Sequence, residues 1–290
     1  MPAGPVIIEA AINGATSKDR NPHVPREPGE IAADALACID AGAAIIHNHI
    51  DRFRITEAEA AERYLEGWRP IFDACPDALV YPTIHFGPPL SYEHLIPLAE
   101  TGLLRVGLTD PGSVNLGGAD AEGVPRGGIV YANSFDTIGR AFEIHHEYRL
   151  GPSLAIYEPG FLRTALAWWQ AGKLPAGAML KLYFSSDQGL MGAPFGLPPT
   201  AAALGAYLEL LEGCDLPWAV SVAGGDVTAS EVAPLALRAG GHLHLGLEFY
   251  GGDGTPTNTE LVTRAVKLAG EAGRKVASPA EAAGILRLPR

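Results

Sequence analysis

His47 and His49 stand one residue apart in the stretch HNHID (residues 47–51), directly after the apolar run Ala43-Ala44-Ile45-Ile46. On an extended strand residues i and i+2 face the same way, whereas on a helix they diverge by about 200°. A strand reading therefore makes the two imidazoles converge. Converging imidazoles can ligate a divalent metal, and they can equally be hydrogen-bonded core histidines. In HLHLGLE (residues 242–248) the same alternation puts His242, His244, Gly246 and Glu248 on one face. Two imidazoles and a carboxylate, with a position left for water or substrate, form a recurrent catalytic zinc arrangement that non-haem iron and other divalent metals also use. That makes His47, His49 and Glu248 the candidate ligands, while His242 and His244 read as structural or supporting groups.

Such residues must be positioned by the elements around them. Apolar runs predict strands over 6–12, 43–49, 79–84, 104–108, 153–156, 178–184, 218–222 and 242–247. Amphipathic stretches between them predict helices, among them 30–40, 57–72, 134–148, 200–212, 229–239 and 260–272. Eight strand-then-helix units in 290 residues fit a (β/α)8 TIM barrel, which needs about 250 residues. A doubly wound open sheet competes, but no glycine-rich phosphate-binding signature follows an early strand. The chain reads as one barrel domain over 1–290 with a C-terminal extension around 274–290.

Barrel active sites lie at the C-terminal strand ends. Those ends carry His47 and His49, His85, Thr109 and Asp110, Glu158, Ser185 to Asp187, Gly224 to Asp226 and Glu248. In a closed barrel the eighth strand adjoins the first, so Glu248 can reach across the mouth to the second strand's histidines. Glu9 sits inside the first strand and Lys181 inside the sixth. Each is costly to bury alone, so each calls for a partner, and a Glu9–Lys181 pair is one solution. The pair His145-His146 reads as a solvated helix face.

A net charge of −12 without a run of Lys or Arg argues against nucleic-acid and anionic-membrane binding. Cys38, Cys75 and Cys214 show no paired spacing, which favours a reducing compartment. No run of about 18 apolar residues and no basic leader occurs, so a soluble cytoplasmic protein is expected.

The assembled segments resemble the beta-keto acid cleavage enzymes, the family typified by 3-keto-5-aminohexanoate cleavage enzyme. They are AAINGA (10–15), IDAGAAIIHNHI (39–50), GSVNLG (112–117), IYEPG (156–160), GLMG (189–192), AGGHLHLGLE (239–248) and NTELVTRAVKLAGEAGRKVASPAEAAGIL (258–286). The resemblance implies a (β/α)8 barrel in a homotetramer, with zinc, or another divalent metal, on His47, His49 and Glu248. It implies condensation of a beta-keto acid with acetyl-CoA and cleavage to acetoacetate and a new acyl-CoA. Zinc would polarise the keto group while an enolate forms.

Departures from the family pattern bear on the chemistry. The family's eighth strand reads G-G-H-x-R-x-G-x-E-D-N, whose Arg and Asp act together in proton transfer; here His244 and Phe249 stand in those places, followed by Tyr250. Thr16 stands where the aminohexanoate enzyme has a glutamate for the substrate's amino group. Thr83 keeps the hydroxyl of a family serine that orients substrate. A family glutamate of the fifth strand aligns with Ala155, while Glu9 puts a carboxylate on the first strand. Glu9, Asp110 and His244 are therefore the candidates for proton transfer. Two other functions fit the same residues: a metal-dependent lyase or aldolase that does not use CoA, and a metal- or metabolite-binding barrel without catalysis.

Overall fold

The computed structural model describes residues 4–52, 54–87 and 90–289. Its strands are β1 (Ile8–Ala11), β2 (Ile45–Asn48), β3 (Val80–Pro82), β4 (Val106–Thr109), β5 (Val114–Ala119), β6 (Pro125–Tyr131), β7 (Gly151–Ile156), β8 (Met179–Ser185), β9 (Trp218–Ala223) and β10 (His242–Leu245). Eight of them form one parallel sheet in the order β3-β2-β1-β10-β9-β8-β7-β4. β3 and β4, at the ends of that order, approach each other at the seam, so the sheet curls into the expected (β/α)8 barrel.

Helices follow the barrel strands: α1 (Pro28–Ala41), α2 (Glu57–Ala74), α3 (Leu95–Glu100), α4 (Phe135–Glu147), α5 (Pro159–Gln170), α6 (Ala201–Leu210), α7 (Val232–Arg238), α8 (Asn258–Glu271) and α9 (Pro279–Ile285). Local chemistry fixes several starts. Thr56 with Glu59, Thr257 with Glu260 and Ser278 with Glu281 are reciprocal capping boxes on α2, α8 and α9. The strands are buried along most of their length because helices cover one face and the barrel interior fills the other, which is why they read as apolar runs. None of the described helices is long and apolar enough to cross a membrane.

Two features differ from the sequence expectation. β5 and β6 form an antiparallel hairpin between β4 and α4, with a register shift between Leu116 and Gly118. Its glycines and exposed Ile129 and Val130 give no regular apolar alternation to read. His145 is fully buried, not solvated, and its Nδ1 lies 2.7 Å from the Ala141 carbonyl oxygen. Only His146 faces solvent.

The last segment lies across the N-terminal ends of strands. The Val6 N–H donates to the Lys275 carbonyl and the Ala277 N–H to the Val6 carbonyl, both at 2.8 Å. The buried Arg274 donates to the carbonyls of Gly4, Leu237 and Gly241 at 2.6 to 2.9 Å. Stability at this end thus sits opposite the face where the polar strand ends gather.

Candidate metal centre and active-site mouth

β2 ends in His47 and Asn48, and the chain leaves it at His49. His47 stacks on Tyr81, with ring centroids 4.5 Å apart, and its Nδ1 lies 3.3 Å from the Tyr81 carbonyl oxygen. An N–H at Nδ1 directed to that carbonyl leaves the Nε2 lone pair free. Both Nε2 atoms meet Glu248: His47 Nε2 is 3.2 Å from Oε2 and His49 Nε2 is 3.2 Å from Oε1. One ligand atom from each of the three residues lies within 4.8 Å of the others.

Glu248 arrives by an unexpected route. β10 stops at Leu245, and Gly246, at φ +140°, turns the chain where a side chain's Cβ would lie 2.0 Å from the Ala11 carbonyl oxygen. The Glu248 N–H then donates to that carbonyl at 3.0 Å. Strand parity therefore does not place the carboxylate; a glycine bend does. Gly14, at φ +52°, leaves it room, since a Cβ there would lie 2.4 Å from Glu248 Cγ.

The donor set fits a divalent cation. Despite the close approach, His49 Nε2 and Glu248 Oε2 are buried without a hydrogen-bond partner. Bonds of 2.0–2.1 Å in tetrahedral geometry put ligand atoms roughly 3.3 Å apart, against the 3.2 Å found for both imidazole–carboxylate contacts. Burial alone would raise the Glu248 carboxyl, but the His49 and His47 rings outweigh it and hold the group well below the usual carboxylate range. Burial pushes His47 down, opposed by Glu248. A deprotonated Glu248 carboxylate beside a His47 ring pushed towards its neutral form is the state a metal requires.

Backbone clamps hold these ligands. Asn13 Oδ1 accepts the His49 N–H at 2.8 Å, and its Nδ2 donates to the His49 carbonyl at 3.0 Å. On the opposite side Asn258 Oδ1 accepts the Leu247 N–H at 2.8 Å, while the Thr16 hydroxyl donates to the Leu247 carbonyl at 2.7 Å. Thr16 is thus committed to the backbone beside Glu248. Asp51 takes a bidentate fork from Arg63, at 2.8 and 2.7 Å, and fixes the loop that follows His49. None of these clamps shows in spacing. Asn13-Gly14 directly after an apolar strand is the nearest signal of one.

One layer deeper, β1 places Glu9 beside His244 of β10, and the ladder sets Ala11 beside His47. Glu9 Oε1 accepts a short hydrogen bond from the Tyr81 hydroxyl and lies 3.5 Å from Lys181 Nζ and 3.3 Å from His244 Nε2. Lys181 Nζ donates to the Tyr81 hydroxyl at 2.6 Å, and His244 Nδ1 lies 3.0 Å from Ser221 Oγ. The Glu9–Lys181 pairing is present, within a larger network. Burial raises the Glu9 carboxyl, but Lys181, His244 and Tyr81 prevail and leave it below its ordinary value. Burial takes His244 down to about 4. Both are sealed, Glu9 at 0% and His244 at 1% exposure, so they lie beneath the ligands and away from the mouth.

Thr83 and Asp110 do reach the mouth. Thr83 lines a small cleft with His49, Arg52, His85 and Phe86. Its main chain is held by the Tyr64 hydroxyl at 3.2 Å and by His94 Nε2 at 2.8 Å from its carbonyl, which aims the side chain. Asp110 follows β4 and accepts the Tyr131 hydroxyl at 2.5 Å, a contact that the unforeseen hairpin brings about. Burial raises the Asp110 carboxyl, and Tyr131 offsets part of that. The structure therefore gathers His47, His49 and Glu248, groups Glu9 with His244 below them, and leaves Thr83 and Asp110 on separate walls.

A sequence model of the family described as beta-keto acid cleavage enzyme matches residues 5–288. The chain is 30% identical over 292 residues to a 3-keto-5-aminohexanoate cleavage enzyme of Fusobacterium nucleatum, covering 98% of each chain. It is 26% identical to a 3-oxoadipate:acetyl-CoA acetyltransferase of Cupriavidus necator, over 98% of this chain and 95% of that one. Among solved structures, apo ObcA superposes with a TM-score of 0.65 at 14% identity; the match covers 92% of this chain but 66% of that longer one, and it speaks to the fold alone.

Proposed function

This chain belongs to the beta-keto acid cleavage enzyme family, and we propose that it exchanges an acyl group between a beta-keto acid and acetyl-CoA at a divalent metal, zinc first, held by His47, His49 and Glu248. One observation carries the metal assignment: two imidazole nitrogens and a carboxylate converge at the strand ends with His49 Nε2 and Glu248 Oε2 buried and unpartnered. The acetyl-CoA assignment draws on the name of the Cupriavidus relative.

In the exchange, the carbon between the two carbonyls of the keto acid gives up a proton and forms a bond to the acetyl carbonyl as the thioester bond breaks. The freed thiolate then takes the original keto carbon as the older C–C bond breaks, and the leaving enolate takes the proton back, giving acetoacetate and a new acyl-CoA. A bound metal supplies Lewis acidity that polarises the keto acid's carbonyl. Thr83 offers a hydroxyl with no hydrogen-bond partner among the described residues, beside His49, and orients the substrate. Arg52 lines the same cleft and suits the substrate's carboxylate, a role its sequence position did not suggest. Glu9, Lys181 and His244 act as positioning residues that hold Tyr81, and through its ring and carbonyl His47, in place.

The test is a panel of beta-keto acids with metal-loaded protein, with and without acetyl-CoA, following acetoacetate. Turnover that requires acetyl-CoA is expected. Turnover without it would instead identify a CoA-independent lyase, and a bound metal with no turnover on any acid would identify a binding barrel. The homotetramer implied by the resemblance belongs to the same proposal, and light scattering on the eluting protein tests it.

A further inference from the structure

The carbon between the two carbonyls of the keto acid gives up a proton and later takes one back, so a group beside that carbon must do both. Three acid–base groups of the barrel are placed where they do neither. Glu9 and His244 are sealed beneath the metal ligands, and Asp110 stands on another wall with its carboxylate spent on the Tyr131 hydroxyl.

The cleft beside His49 supplies the missing group. One carbon separates the carboxylate of a beta-keto acid from its keto group. With the carboxylate on Arg52 and the keto group at the metal ligands, that carbon lies between them, in the cleft that Thr83 and His85 line. The cleft's other polar groups are committed. Arg52 is a permanent cation. Burial raises the Tyr64 phenol, whose oxygen accepts the Thr83 N–H at 3.2 Å. His94 is 0% exposed, and burial together with the neighbouring His85 takes it down to about 3. Its neutral ring spends the Nε2 proton on the Thr83 carbonyl at 2.8 Å and leaves Nδ1 buried without a partner.

His85 is held ready by the chain around it. Tyr81, Thr83 and His85 alternate to one side as the chain leaves β3. Tyr81 reaches down to Glu9, while Thr83 and His85 border the cleft. The His85 N–H donates to the Ser91 carbonyl at 3.1 Å and the Ser91 N–H donates to the His85 carbonyl at 3.2 Å, so the main chain is fixed on both sides of the residue. The ring lies 5.9 Å from that of His94, and neither of its nitrogens has a hydrogen-bond partner among the described residues. An imidazole with both nitrogens uncommitted can accept a proton and return it near neutral pH.

We infer that His85 is a catalytic residue: a ring nitrogen takes the proton from the carbon between the carbonyls, and the imidazolium so formed gives it back to the enolate that leaves. In the first step the C–H electron pair passes into the enolate. In the second the enolate carbon forms a new C–H bond as the older C–C bond breaks, and His85 is neutral again. The inference rests on the cleavage reading for what the cleft holds, and proton exchange tests it apart from cleavage. Acetoacetate is the probe, because the proposed reaction releases it whatever the substrate. In deuterium oxide without acetyl-CoA, the metal-loaded full-length protein is expected to exchange the protons of that carbon faster than the free metal ion does in buffer, as followed by proton NMR. His85→Ala and His85→Gln should each slow the protein's exchange about a hundredfold or more. Metal content and calorimetric binding of acetoacetate are expected to be kept, and imidazole in the buffer to restore part of the exchange in His85→Ala.

Exchange at the wild-type rate in both variants overturns the assignment and leaves the cleavage reading standing. So does wild-type protein that turns over with acetyl-CoA but exchanges no faster than the free metal ion, and this needs no variant to show it. Loss of exchange together with loss of metal or of acetoacetate binding in both variants gives His85 a structural role and overturns it too. Exchange that depends on His85, in a protein that cleaves no beta-keto acid with acetyl-CoA, upholds the assignment and removes the cleavage reading.

Discussion

The barrel contains two H-x-H motifs on parallel strands two apart in the sheet, and they have opposite fates. In β2 and the residue after it, His47 and His49 present both Nε2 atoms to Glu248 at 3.2 Å, with His49 Nε2 and Glu248 Oε2 left unpartnered. In β10, His242 and His244 are consumed by the scaffold. His242 Nδ1 accepts the Ile7 N–H at 3.0 Å, and His244 lies between Ser221 and Glu9. Residue type and spacing are the same. What differs is height along the barrel: the first pair ends its strand at the mouth, whereas the second lies deeper, where Ile7, Ser221 and Glu9 of neighbouring strands supply partners.

The contrast can be broken most forcefully at the mouth. His47→Ala or Glu248→Gln is expected to abolish stoichiometric metal and to lower turnover by about a hundredfold or more, whereas His242→Asn keeps the metal and costs roughly 1–3 kcal/mol of stability through the orphaned Ile7 N–H. Elemental analysis beside urea unfolding checks both, and a His47→Ala protein that still carries one metal would refute the ligand assignment. Next comes the deep layer. Glu9→Gln or Lys181→Met should each cost about 3–5 kcal/mol by leaving a buried charge unpaired, and the double variant less than their sum. Additive losses would mean that the two groups do not act as a pair.

Acid should reveal the deep pair without any substitution. Burial takes His242 down to about 3 and His244 to about 4, with His94 at about 3 and His145 at about 4. Below pH 6.5 an unfolded chain gains these protons while the native chain does not. Stability is therefore fully present above about 6.5 and is lost as pH falls towards 4, by about 1.4 kcal/mol per pH unit for each group. Urea titrations of the metal-free protein at pH 7.5 and 5.5 measure this, and equal midpoints would contradict it. The smallest effect is expected at the clamp. Asn13→Ala frees the His49 N–H and leaves its carbonyl to Asn48 Nδ2, and should weaken metal binding about 10- to 100-fold at unchanged stoichiometry under saturating metal. Competition with a chelator reads that shift, and an unchanged affinity would show that the clamp has no bearing on the ligand.

Much of this arrangement is legible in the amino-acid order. Apolar runs alternating with amphipathic ones predict eight barrel units, because strands buried on two faces and helices buried on one carry different periods. The strand-end rule singles out His47, His49, Asp110 and Glu248 from their places after apolar runs. The rule that buried charges need partners anticipates the Glu9–Lys181 pair. The hairpin escapes the reading because an exposed, glycine-rich ribbon has no core to pattern it, and its consequence, Tyr131 against Asp110, escapes with it. Asn13 and Asn258 escape because their partners are main-chain atoms, which leave no trace in residue spacing.

Sequence alone thus determined the fold class and the donor atoms available at the mouth, since periodicity and residue chemistry are local properties. Tertiary structure decided which donors stay unsatisfied. Gly246 bends the chain so that Glu248 meets two imidazoles, while β1 and β9 set Glu9 and Ser221 against His244. Whether a buried nitrogen or oxygen has a partner depends on atoms contributed by residues hundreds of positions away, and only packing brings them within hydrogen-bond reach.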